Sequence, residues 1–139
     1  MTGLEVLGIG IDLVENDRMQ AVLDKWGVAF LAKVFLTGER DYCEGKAAPW
    51  RHYAARFAVK EAVAKAFGTG IEPRLGWLDI QVERSTEGRP LVRLSSKAQG
   101  LADEFGVRRV LVSLSHTRHY AAAHAVLLGL PRKEAETGP

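Results

Sequence analysis

The chain has 139 residues, enough for one ordinary domain around one hydrophobic core. Hydrophobic residues make up 47% and charged residues 26%, a balance that excludes a disordered, collagen-like or disulfide-scaffold protein. Nineteen basic against seventeen acidic side chains leave a formal charge of +2, too small to make nucleic acid or a membrane surface the expected partner, so any charge argument has to be local.

Leu7, Ile9, Ile11 and Leu13 alternate through Val6 to Leu13 and predict a first strand ending near Asp12. Asn16 or Asp17 can then cap a helix whose Met19, Val22, Leu23 and Trp26 form one apolar stripe, with Phe30 to Phe35 continuing the pattern less clearly. Thr37 is expected to cap a short helix before Gly45 and Pro49 interrupt the chain. Pro49 to Phe67 is the strongest helix: a proline suits its first turn, alanines fill it, and Gly68 stands where a helix ends. Its apolar residues point in nearly every direction, so its second half should be buried around most of its circumference.

Leu78, Ile80 and Val82 alternate with Asp79, Gln81 and Glu83 as in a half-buried strand, and Glu87-Gly88-Arg89-Pro90 turns it back into Leu91 to Leu94. Ser95 or Ser96 opens a helix that ends at Gly106; Val110, Val112 and Leu114 mark a strand running into Ser115-His116-Thr117, and Tyr120 to Leu128 a last one. The tail beyond Pro131 is charged and small. The expected organisation is a single domain over 1–130 with a flexible tail over 131–139. Its class is α+β, a mostly antiparallel sheet packed on a long central helix.

The lone Cys43 can form no internal disulfide and fits a reducing compartment, so the cytoplasm is the expected location. The most apolar run, Tyr120 to Leu130, is too short to span a bilayer, and Met1 to Glu5 lacks the basic and apolar regions of a secretion signal. No membrane association is expected.

Glu61 and Lys65 share a helix face with Ala54, Phe57, Ala58 and Ala64. The plain reading is a surface ion pair worth roughly 0.3–0.5 kcal/mol. If that apolar face is buried, isolated charges become costly, and a metal or anionic ligand supplies a reason to keep both. Asp12 on its own reads as a turn-forming aspartate at a strand end. Placed near Glu61 it would repel it by roughly 4 kcal/mol at 4 Å and an effective dielectric of 20, so such neighbours usually hold a cation. Oxygen ligands suit Mg²⁺, which completes its shell with water and phosphate and would leave Lys65 as a second phosphate-directed charge.

His116 reads first as an ordinary turn histidine, and His52, His119 and His124 show no partner pattern. Gly8-Ile9-Gly10 is not a dinucleotide fingerprint, because Leu13 occupies the third glycine's place. Ser113 and Ser115 lie on a strand without the glycine elbow of a nucleophilic serine.

Three segments together carry a resemblance: Gly8-Ile9-Gly10-Ile11-Asp12-Leu13-Val14-Glu15, then Arg56-Phe57-Ala58-Val59-Lys60-Glu61-Ala62 through Lys65-Ala66-Phe67-Gly68-Thr69-Gly70, then Ser113-Leu114-Ser115-His116-Thr117. In this order and chain length they are similar to the holo-[acyl-carrier-protein] synthases, the short single-domain 4′-phosphopantetheinyl transferases, over about residues 6 to 128. The resemblance implies that fold, and transfer of 4′-phosphopantetheine from coenzyme A to a serine of apo-acyl carrier protein in support of fatty acid biosynthesis, with adenosine 3′,5′-bisphosphate released. It implies that Asp12 and Glu61 hold Mg²⁺ and that Lys65 balances charge on the leaving group. Arg56, His116 and Thr117, with the Gly88-Arg89-Pro90 turn, would surround the nucleotide and its 3′-phosphate. The proton acceptor for the serine stays open between Glu61 and a metal-held water steered by Asp12 or Glu61.

Family members are homotrimers with active sites between subunits, and their first helix receives the acidic carrier on arginines. Arg18 and Lys25 would serve here, although Asp17 and Asp24 stand beside them. Ala55 replaces the glycine that many relatives carry before the Arg-Phe pair. Two rival readings are a magnesium phosphohydrolase using the same carboxylates and a non-catalytic binding module in which Glu61 and Lys65 are structural. Transfer of mass to a carrier separates the first, and chelator-sensitive coenzyme A binding the second.

Overall fold

The computed structural model describes residues 3–131, so of the tail expected over 131–139 only Pro131 falls among them. Its elements are β1 (Glu5–Glu15), α1 (Asn16–Val34), α2 (Thr37–Glu44), α3 (Pro49–Phe67), a 3-10 turn (Trp77–Asp79), β2 (Ile80–Arg84), β3 (Pro90–Leu94), α4 (Ser96–Phe105), β4 (Val107–His116) and β5 (Tyr120–Gly129). Every strand pairing is antiparallel, but the strands form two sheets, β1-β5-β4 and the hairpin β2-β3, not one. A cleft lined by Val92, Leu94, Val107 and Val110 runs between β3 and β4.

Helix α3 is the spine of the molecule. Its Ala54, Ala58, Val59, Ala62 and Val63 are fully buried, and Gly68 closes it in the left-handed region at φ 80°. Strand β1 lies directly on it: a side chain at Gly8 would run into the carbonyl of Ala66, and one at Gly10 into that of Ala62. The inward residues of β5, Ala121, Ala123, Ala125 and Leu127, complete that layer. Small residues at the crossing let backbones approach, so Asp12 is carried to within side-chain reach of α3.

Three local expectations need correction. Helix α1 is kinked at Gly27 (φ 49°, ψ −127°) before it runs on to Val34, and Trp26, immediately before the kink, turns out to solvent at 58% exposure instead of joining Met19 in the core. Helix α2 is capped not by Thr37 but by Leu36, whose N–H donates to the Glu39 carboxylate at 2.9 Å. Leu78 lies in a 3-10 turn, not in a strand. The cause is Asp79, whose carboxylate accepts from the Gly76 N–H at 2.8 Å and the Ser95 hydroxyl at 2.7 Å and closes a local loop. The Ser95 hydroxyl in turn accepts the Ala98 N–H and caps α4.

Candidate active site

Asp12 leaves the C-terminal half of β1 beside Ala123 of β5, and Lys65 reaches across from α3. The Lys65 ammonium donates to the Asp12 carboxylate and to the Ile11 carbonyl, both at 3.0 Å. It is half exposed, while the Asp12 side chain is largely covered. The ion pair anticipated between Glu61 and Lys65 is therefore made by Lys65 with Asp12, because β1 crosses α3 closely enough for the lysine to leave its own helix.

Glu61, one turn before Lys65, is half-buried with its carboxyl pKa raised. Burial is the main cause and the charge of Asp12 adds to it, with Lys65 pulling the other way. Asp12 and Glu61 open on one cavity of about 490 Å³, walled by Met19 and Val22 of α1, Phe30, Phe57 and Trp77, with Arg18 at its edge. Phe57 and Trp77 stack there with ring centres 4.8 Å apart.

These residues fit a divalent cation of the magnesium type. The donors are hard carboxylate oxygens, and Asp12 disfavours the anionic form of Glu61, a repulsion that a shared cation relieves. Among the described residues no group of three or more histidine, cysteine, aspartate or glutamate side chains could hold a metal unaided. Two carboxylates match an ion that draws its remaining ligands from water and substrate phosphates.

A second cluster forms on the other side of α3. The Arg56 guanidinium, only 4% exposed, lies over the Tyr42 ring at 4.1 Å, with Lys46 at 4.6 Å and Arg84 at 5.8 Å from the same ring centre. His52 stands edge-on between Tyr42 (5.9 Å) and His116 (6.1 Å). Its pKa is lowered, first by burial and then by the positive surroundings of His116, Lys46, Arg56 and Arg84. The Arg56 Nε is buried without a hydrogen-bond partner. Concentrated positive charge and an unused buried donor suit a phosphate.

The remaining candidates border this second cluster. Arg84 donates to the Gly88 carbonyl at 2.7 Å and so ties the hairpin turn to it, while Arg89 is exposed in that turn and Pro90 opens β3. Thr117 follows His116; its hydroxyl accepts the Tyr120 N–H at 3.1 Å. Asn16, fully buried at the head of α1, holds this turn through its amide, which donates to the carbonyls of Thr117 (3.1 Å) and Arg118 (3.0 Å). Sequence reasoning missed Tyr42, Lys46, His52, Arg84 and Asn16. Only the i, i+4 spacing of His52 and Arg56 on one helix face was there to signal them.

A small α+β domain carrying a paired-carboxylate site and a separate cationic site is the arrangement of a phosphate-handling enzyme. The model of the 4′-phosphopantetheinyl transferase superfamily matches residues 8–125. A holo-[acyl-carrier-protein] synthase of Ruminiclostridium cellulolyticum is 46% identical over 120 residues, 86% of this chain and 90% of that protein. The crystal structure of the holo-[acyl-carrier-protein] synthase from Neisseria meningitidis superposes with a TM-score of 0.84 at 30% identity, covering 88% of this chain and 98% of that one. The Helicobacter pylori enzyme, solved in complex with coenzyme A, gives a TM-score of 0.77 at 32% identity, covering 86% and 98%. The chain belongs to the 4′-phosphopantetheinyl transferase superfamily, among the holo-[acyl-carrier-protein] synthases.

Proposed function

We propose that this protein transfers the 4′-phosphopantetheine group of coenzyme A to a serine of apo-acyl carrier protein, releasing adenosine 3′,5′-bisphosphate, in support of fatty acid biosynthesis. The observation that carries the reading is that Asp12 and Glu61 open on one cavity while Lys65, one turn beyond Glu61 on α3, pairs with Asp12. Asp12 and Glu61 would hold Mg²⁺, which when bound neutralises charge on the diphosphate. The serine oxygen attacks the phosphorus that bears pantetheine, a new P–O bond forms, and the bond to the nucleotide's phosphate oxygen breaks. Lys65 balances charge on the leaving phosphate. The serine proton passes to Glu61 directly or to a water steered by Asp12 or Glu61.

The nucleotide end would bind the cationic cluster of Arg56, His52, Lys46, Arg84 and His116, with Thr117, Arg89 and Pro90 beside it. Arg56 and Glu61 lie about 140° apart around α3, and one coenzyme A would have to meet both clusters. A homotrimer with sites between subunits resolves this. It also gives a partner to the outward face of β1, where Ile9, Ile11 and Leu13 are each more than 60% exposed. An acidic carrier would dock where Arg18 borders the cavity, with Lys25 two turns further along α1. Among the described residues no helix is long and apolar enough to cross a membrane; the cytoplasmic location is proposed from the lone Cys43, which fits a reducing compartment.

The test is mass spectrometry of apo-carrier incubated with coenzyme A. A gain of one phosphopantetheine that requires Mg²⁺ is expected; an unchanged carrier with hydrolysed coenzyme A would assign the site to a phosphohydrolase.

A further inference from the structure

Lys60 and Glu39 are fully buried and paired at 2.9 Å. Lys60 also donates to the carbonyls of Trp77, at 3.0 Å, and Ile80, so each of its three ammonium protons has an acceptor. Glu39 accepts the Leu36 N–H at 2.9 Å and the Val82 N–H at 2.7 Å besides. One closed network thus joins α2, α3, the 3-10 turn and β2.

Stability is a weak reason to keep such a pair, since removing two charges from water is costly and well-packed apolar residues commonly do as well. What the pair does fix is a backbone position. The Trp77 carbonyl held by Lys60 sets where the Trp77 indole lies, and that indole stacks on Phe57, one helical turn before Glu61. Trp77 and Phe57 wall the cavity on which Asp12 and Glu61 open. Lys60 follows Phe57 and precedes Glu61 in the chain, yet it faces inward and shares no ligand with them.

We infer that Lys60 and Glu39 are positioning residues that hold the Trp77–Phe57 wall and thereby set how the carrier protein's serine is presented to Glu61. This rests on the transferase reading and adds to it a determinant of carrier recognition. The pair touches neither substrate. Its loss should therefore appear in the carrier term and not in the coenzyme A term.

The test uses the Lys60→Met/Glu39→Gln double variant, which leaves no lone buried charge, beside Trp77→Leu, which keeps the carbonyl and removes the indole. Both should raise the carrier KM about tenfold with the coenzyme A KM within about twofold, and both should weaken apo-carrier binding in direct titration by a similar factor. The Trp77→Leu arm decides if the double variant does not fold. A parental carrier KM in Trp77→Leu, or a rise in both KM values together in the double variant, would overturn the inference. Absence of transfer by the parent protein would instead overturn the activity itself.

Discussion

Arg56 and Glu61 lie five residues apart on α3 and therefore about 140° apart around its axis. A trimer with shared sites predicts complementation. Arg56→Ala and Glu61→Gln should each be inactive alone, and co-expressed or refolded together they should recover roughly a quarter of parental activity, the fraction of random sites drawing both intact residues from neighbouring chains. Mixed assemblies that stay inactive would place both residues in the same subunit's site.

Ile9 is 63% exposed in the middle of an apolar sheet face, opposite Val126. The proposed trimer would bury this face, so Ile9→Asp should run as a monomer in light scattering where the parent runs as a trimer, and transfer should fall at least about tenfold while circular dichroism stays unchanged.

Glu61→Gln should reduce transfer by about a hundredfold or more. A stability measurement isolates the cause. The Glu61 carboxyl is held above its ordinary value, so its ionisation opposes folding; that opposition is absent below about pH 4.3 and grows as pH rises through the folded-state value. Without metal, the variant should melt a few degrees above the parent at pH 7.5 and level with it near pH 3.5. Mg²⁺ should raise the parent's melting temperature and leave the variant's unchanged.

His52 is pushed toward its neutral form by burial and by the cations around it. A bound phosphate reverses part of that field, so the ligand should draw in a proton, and adenosine 3′,5′-bisphosphate should bind more tightly as pH falls from 8 toward the ordinary imidazole range near 6.5. Calorimetry in two buffers of different ionisation enthalpy should show uptake of up to about one proton per site. His52→Gln should reduce that proton uptake.

Gly10→Ala should destabilise the fold by about 1–3 kcal/mol, because the added methyl meets the Ala62 carbonyl. Activity should fall further than stability accounts for, since β1 must lift from α3 and takes Asp12 with it. Full activity in a destabilised variant would show that the strand can shift without moving its carboxylate.

The long elements were legible because their patterns are local. Pro49 to Phe67 was bounded by a proline at one end and a glycine at the other, and the structure agrees at both. Asp12 alone reads as a turn aspartate and Glu61 with Lys65 as a surface pair; it is the family resemblance that names the three together, and the structure pairs Lys65 with Asp12. What escaped was long-range. Trp26 follows the apolar stripe in the sequence yet faces solvent beside the kink at Gly27. Lys60 carries no signal of its own in the sequence, and nothing near it in the chain announces Glu39, twenty-one positions earlier, as its partner. His52 gains its meaning from Tyr42, Arg84 and His116, which three separate elements bring to one place.

Asn16 gives the molecule a mechanical link. Its amide grips the loop that follows His116, while its backbone starts the helix bearing Arg18. Helix and turn are thereby pinned at one buried point, so a variant that loosens Asn16 loosens the start of α1 and the turn after His116 together.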